Sequence, residues 1–194
     1  MPTPNIRTAS SSDETSVLDV MTLAFSTDPI MRWLFPQPHK YLEGFPRLTR
    51  AYGGKSFAHQ SAFVAEQYAG AAMWLPPTVH FDEQAMGEMA VELIPQNIQA
   101  DAFGLLSEMP KFHPKEPHWF LAVIGVDPAR QNQGQGSALM EHALRACDRE
   151  HLPAYLESSN PRNLTLYRKH GFEVIATLQK GSSPPMFPMI RPAR

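Results

Sequence analysis

The sequence predicts one α/β (α+β) domain built around a mixed sheet. Three observations lead there. Before residue 61 the apolar residues repeat at helical spacing, and from 61 to 75 they follow strand patterns instead. The continuous apolar run Trp119–Val126 reads as a central strand covered on both faces. Beyond it helix and strand patterns alternate to the C-terminus.

Asn5–Ala9 reads as a short first strand, and Ser11 with Glu14 makes a capping-box pattern. Val17, Val20, Met21, Ala24 and Phe25 then share one face of a helix over 12–26. Asp28 is a cap and Pro29 a first helical residue, opening a short helix that carries Ile30, Trp33 and Leu34 until Pro36 stops it. Tyr41, Phe45, Leu48 and Tyr52 mark a third helix ending near Gly53-Gly54. Ser61–Glu66 and Gly70–Leu75 read as strands joined by a tight turn, closed by Pro76-Pro77. Residues 82–109 return to helical spacing, broken at Pro95. Pro110, Pro114 and Pro117 stiffen the loop into 119–126. Helix is expected over 134–150 and 161–170, and strand over 154–159, 172–180 and 186–191. With neither an internal repeat nor a composition break, residues 1–194 read as a single domain.

Composition narrows the function. Of 194 residues 43% are hydrophobic and 19% charged, enough apolar surface for a core. The net charge of −2 offers no basic excess for a polyphosphate backbone, so nucleic acid is not an expected partner. The single cysteine, Cys147, falls on the apolar face of the 134–150 helix, reads as core, and forms no internal disulfide. No apolar run approaches a membrane span, and Met-Pro-Thr-Pro-Asn lacks the start of a signal peptide. The expectation is a cytoplasmic protein without a membrane partner, monomeric or homodimeric. Proline occurs 19 times, spread between the periodic segments as punctuation.

The informative stretch follows the central strand. Gln131-x-x-Gly134-x-Gly136 opens the helix whose apolar face carries Leu139, Met140, Ala143 and Leu144. Glycines at a helix start let backbone N–H groups approach an anion, and the helix dipole favours negative charge. Three rival readings compete with this pyrophosphate cradle. The bland one is a glycine-containing loop without a ligand. A dinucleotide site would use Glu157 as its ribose acid, but Leu139 holds the third glycine position and seven residues separate Val126 from Gly134. A nucleoside-triphosphate loop is excluded, because no lysine follows the glycines.

The spacing Gln131-x-x-Gly134-x-Gly136 after Val-Asp-Pro resembles the signature of the GNAT acetyltransferase superfamily. So does the later block Ser159-Asn-Pro-Arg-Asn163 with Tyr167 and Gly171-Phe172. Residues 113–126, 156–163 and 167–172 further resemble the puromycin N-acetyltransferases of that superfamily. The likeness is dense over 113–176 and thin in the N-terminal half.

That resemblance implies a mixed, mostly antiparallel central sheet flanked by helices, with two splayed parallel strands binding coenzyme A. It implies an acetyl-CoA-dependent N-acetyltransferase that uses a small-molecule amine by direct transfer, with no metal. A protein or peptide N-acetyltransferase and a non-catalytic acyl-CoA module are the alternatives. Backbone groups of Ile124, Gly125 and Val126 would then pair with pantetheine, and those of Asn132, Gln133, Gly134, Gln135, Gly136 and Ser137 with pyrophosphate. Asn160 or Asn163 would touch the coenzyme, although Asn160 is also a natural cap before Pro161. Tyr167 would protonate the departing thiolate.

The base is open. The strand 119–126 carries no acid, so Glu157 at the end of the next strand is the expected base or amine ligand, with Asp28 the alternative. Trp33, Phe35 and Tyr41 are candidates for an aromatic acceptor pocket or for core. His113 and His118 flank Pro-Lys-Glu-Pro, an unsuitable spacing for metal ligands, and read as loop residues.

Overall fold

A computed structural model describes residues 4–194. Seven strands form one sheet in the order β1-β2-β3-β4-β5-β7-β6. These are β1 (Ile6–Thr8), β2 (Ala62–Ala65), β3 (Gly70–Leu75), β4 (Trp119–Val126), β5 (Ala154–Ser158), β6 (Glu173–Val174) and β7 (Phe187–Arg191). All neighbours run antiparallel except β4 and β5. This is the mixed, mostly antiparallel sheet expected.

Helices cover both faces. On one lie α1 (Glu14–Ala24), α2 (Pro29–Leu34), α3 (Pro38–Gly53), α5 (Glu83–Leu93) and α6 (Gln96–Glu108), with the single turn α4 (Lys55–Ala58) after α3. On the other lie α7 (Gln135–Glu150) and α8 (Leu164–Lys169). Strand alternation divides the core accordingly. Ala71, Met73 and Val123 pack with Val17, Met21 and Phe45, whereas Ala72, Trp74 and Leu121 pack with Leu139, Met140 and Cys147. No helix among the described residues is long and apolar enough to cross a membrane.

Two local readings change. The capping box sits one residue early: the Ser10 backbone N–H donates to Asp13 Oδ2 at 2.8 Å, because a 3-10 turn over Ser11–Asp13 precedes α1. The strand expected over 172–180 shrinks to Glu173–Val174 and an isolated Leu178–Met186 bridge. Pro188 of β7 accepts from the Ile175 N–H but has no N–H to return, so the ladder lapses there.

The feature that positions the site lies in β4. Met73 pairs with Val123 and Trp74 with Leu121, which leaves Ala122 as an extra residue opposite none. Such a bulge bends its strand. The parallel pairing to β5 covers only Trp119–Leu121 with Ala154–Leu156, so the two strands part at the bulge.

Candidate active site

The gap between β4 and β5 opens beneath the N-terminus of α7. Gly134 takes a left-handed conformation (φ 84°) with open space where a side chain would project, a geometry that favours glycine. The first helical bond runs from Ala138 N–H to the Gly134 carbonyl at 3.0 Å. The N–H groups of Gln135, Gly136 and Ser137 therefore have no partner within the helix, and the positive end of its dipole faces the gap.

A cleft of about 500 Å³ lies there. Its strand wall is Ile124 and Val126, its helix wall Asn132, Gly134, Gln135, Gly136 and Ser137, and its far wall Asn160, Asn163 and Tyr167 with Asp28. Arg162 adds a cation to the lining, and Lys169 Nζ lies 3.3 Å from Ser137 Oγ. The buried Gln135 Oε1 has no partner among the described residues. Free N–H groups, nearby cations and an unsatisfied polar atom suit a pyrophosphate followed by an amide-bearing arm. Asn160 also caps its turn, its Oδ1 accepting from Arg162 N–H at 3.1 Å.

Two residues expected in this cleft stand outside its lining. Gly125 is buried under α1, where an added Cβ would lie 2.7 Å from Ala24 Cβ; its glycine serves helix packing. Gln133 is exposed, and its Nε2 turns back to the Ala129 carbonyl.

A second cavity of about 140 Å³ adjoins the first, sharing Phe25, Asn163 and Tyr167 with it. Its wall is apolar and rich in methionine: Met31, Met86, Met89, Met109 and Met186. Its polar residues include Glu157 and Ser159. Trp33, expected here, lines neither cavity and donates from Nε1 to Ser182 Oγ at 3.3 Å. Phe35 and Tyr41 are core: Phe35 is fully buried, and Tyr41 stacks on Phe45 while donating to the Thr22 carbonyl. This cavity is thus walled by α2, α5, α6 and the turn after α6, and its methionines carry no recognisable motif.

Glu157 ends β5 with only 3% of its side chain exposed. Its Oε2 accepts from Tyr52 Oη at 2.6 Å and its Oε1 from Tyr155 Oη at 3.0 Å. Burial and the charge of Glu157 push both phenols well above the ordinary range, so they remain donors. His113 Nε2 lies 3.5 Å from Oε1. Neither tyrosine nor His113 is marked as a site residue by its sequence neighbourhood; only the sheet and α3 bring them together.

Asp28 is buried at the N-cap of α2, its Oδ1 accepting from Met31 N–H at 3.1 Å and its Oδ2 from Ser159 Oγ at 2.6 Å. Burial raises its carboxyl pKa above the usual range. Tyr167 is buried at the junction of the two cavities. Burial first, and Asp28 second, raise its phenol above the ordinary range, so the proton stays in place at neutral pH. Among the described residues no cluster of three or more His, Cys, Asp or Glu is arranged to hold a metal ion.

A bulge-opened parallel pair, a glycine-started helix and an adjoining apolar cavity make up the site. The acetyltransferase (GNAT) family model matches residues 30–172, and the chain belongs to that family. Mycothiol acetyltransferase of Saccharomonospora viridis is 31% identical over 153 residues, which cover 68% of this chain and 49% of that protein. An uncharacterized N-acetyltransferase of Schizosaccharomyces pombe is 41% identical over 54 residues, 28% of this chain and 22% of its own length. The chain thus spans about half or less of these curated relatives. Among solved structures, histone acetyltransferase HPA2 and related acetyltransferase from Corynebacterium glutamicum has a TM-score of 0.73 at 24% identity, covering 100% of this chain and 98% of the other. Arylalkylamine N-acetyltransferase 2 of Aedes aegypti follows with a TM-score of 0.69 at 13% identity, covering both chains completely. These likenesses establish the fold.

Proposed function

We propose that this enzyme moves an acetyl group from acetyl-CoA to the primary amine of a small hydrophobic molecule. The observation that carries the reading is the methionine-walled cavity, which shares Tyr167 with the polar cleft and buries the Glu157 carboxylate. Apolar walls hold an organic side chain, and one buried carboxylate attracts and deprotonates its ammonium. Unbranched, polarisable methionines adapt to ligands of different shape.

When bound, acetyl-CoA supplies the thioester that the amine attacks. The N–H groups at the start of α7, with Arg162, hold its pyrophosphate, and the unpaired edge of β4 at Ile124 and Val126 holds its amides. Fixed backbone dipoles in this gap stabilise the developing oxyanion. Glu157 takes the ammonium proton. Tyr167 gives its proton to the departing sulfur and is restored by the second proton that the nitrogen sheds as the amide forms; the same burial that raises its pKa also makes a thiolate there more basic, so the pair stays matched. Asp28 aligns Ser159 at the boundary of the two cavities.

Two structural neighbours support a small amine: the arylalkylamine N-acetyltransferase of Aedes aegypti and a polyamine N-acetyltransferase of Drosophila melanogaster with a TM-score of 0.65. The finer likeness to puromycin acetyltransferases rests on residues 113–126 and 156–172, and makes puromycin one of the amines to try. The test is release of coenzyme A thiol across arylalkylamines, alkylamines, puromycin, polyamines and a histone-tail peptide. An apolar monoamine should show the highest kcat/KM. A polyamine winning would overturn the hydrophobic character of the acceptor, and the peptide winning would overturn the small-molecule reading itself.

A further inference from the structure

The environment of Glu157 contains more than a base needs. Behind it, away from the amine cavity, His113 and His118 line a separate pocket of about 230 Å³ together with His80 and Glu83. No residue lines both this pocket and the amine cavity. His113 alone among these residues reaches the carboxylate, and its ring packs on Tyr155 and Phe120.

The hydrogen bonds set the tautomers of both rings. His118 Nδ1 lies 2.9 Å from the Glu116 carbonyl oxygen, which can only accept, so Nδ1 carries the hydrogen. In the neutral ring Nε2 is then a lone pair. It lies 3.2 Å from His113 Nδ1, which must be the donor. That leaves His113 Nε2 as a second lone pair, 3.5 Å from Glu157 Oε1. Two acceptors face each other with room for one hydrogen between them. Burial lowers the pKa of His118 against the opposing pull of the Glu116 carbonyl, which favours its neutral ring.

We propose that His113 and His118 form a proton exit that acts through Glu157 and empties into the pocket behind it. The inference rests on the acetyl-transfer reading. A bound ammonium gives one N–H proton to Glu157, and the O–H so formed breaks as His113 Nε2 takes that proton. His113 passes its Nδ1 hydrogen to His118 Nε2, and His118 releases its Nδ1 hydrogen from the Glu116 carbonyl to water. One proton enters and one leaves, both rings end neutral, and exchange with solvent restores their tautomers. Acetylating an alkylammonium yields one proton per turnover. With substrate filling the amine cavity, Glu157 is sealed on that side. The groups facing this path are Tyr52 from α3, Tyr155 and Glu157 from β5, His80 and Glu83 from the segment after β3, and Glu116. Both histidines are thus positioning residues for Glu157.

His113→Phe keeps a ring against Tyr155 and Phe120 and removes the relay. Its kcat for the best amine should fall at least tenfold, with the melting temperature and the KM for acetyl-CoA nearly unchanged. In His113→Ala, added imidazole should restore kcat in proportion to its concentration, whereas pyrazole, a ring of equal size and far weaker basicity, should not. Should the Phe variant fail to fold, His118→Gln at the half-buried end of the path should show the same kcat loss. Equal rescue by pyrazole, or a folded relay variant with normal kcat, would overturn the exit while leaving acetyl transfer standing. A wild-type protein that acetylates no amine would overturn both, so the two failures are distinguishable.

Discussion

Replacing Glu157 by Gln keeps the volume of a side chain that is only 3% exposed and removes its charge. Two costs can be separated. The Tyr52 and Tyr155 hydroxyls now donate to a carboxylate, and such charge-assisted bonds contribute about 1.5–3 kcal/mol against about 0.5–1.5 for neutral ones. Glutamine keeps one acceptor oxygen, so one bond weakens and the other hydroxyl must turn to accept from the new N–H; together this costs about 2 kcal/mol, because the amide also escapes the desolvation of a buried charge. For a domain of this size each 1 kcal/mol moves the melting temperature by about 2–4 °C, so the fall should stay below about 8 °C. Catalysis should suffer more. Loss of a general base costs about 10²–10⁴ in rate, or roughly 3–5 kcal/mol of transition-state stabilisation. The variant then depends on amine already neutral in solution, and its rate should climb about tenfold per pH unit below the amine's own pKa. Thiol release followed from pH 6 to 10, with thermal melts on the same preparation, reads both terms. A folded variant within fivefold of wild-type kcat, with a parallel pH profile, would refute Glu157 as base.

Tyr167→Phe should lower kcat by about 10²–10⁴ while acetyl-CoA affinity, held by backbone groups and Arg162, stays nearly intact. Normal turnover with lost stability would instead make Tyr167 a core residue. Asp28→Asn tests linkage. A buried carboxyl whose folded pKa is raised loses its proton more reluctantly than in the unfolded chain, so stability falls as pH rises from the ordinary carboxylate range through the raised value. Asparagine keeps the cap, so the variant should melt above wild type at pH 7, with the difference closing near pH 4. A wild type that melts higher at pH 7 would contradict that sign. Burial pushes the Cys147 thiol up to about 12, so it should resist alkylation at pH 8 until the protein unfolds. Stoichiometric labelling of the native chain would show that the helix face opens.

The elements could be read locally because their determinants are local. Asp28-Pro29 and Asn160-Pro161 each set a helical start within a few residues, and Trp119–Val126 names itself as a buried strand by its unbroken apolar run. Gly134 belongs to the same class, since a left-handed helix start depends on its own backbone. The sequence failed where a partner strand or helix decides. That position 125 must be glycine is one such case, because α1 presses on it from a hundred residues away. Trp33, Phe35 and Tyr41 stayed open between pocket and core because spacing does not say which helix face meets a cavity.

By itself, then, the sequence determined the order of elements and the glycine-started helix, and its resemblance to a family pointed to Tyr167 and Glu157 as the side chains proposed for proton transfer. Only the tertiary structure decided where the sheet opens, through one unpaired residue, Ala122, that register alone reveals. It also decided that methionines from α2, α5 and the segments after α6 wall the second cavity. Tyr52 is 105 positions from Glu157 and His113 lies in a proline-bound loop, so their meeting depends on long-range packing that no local pattern encodes.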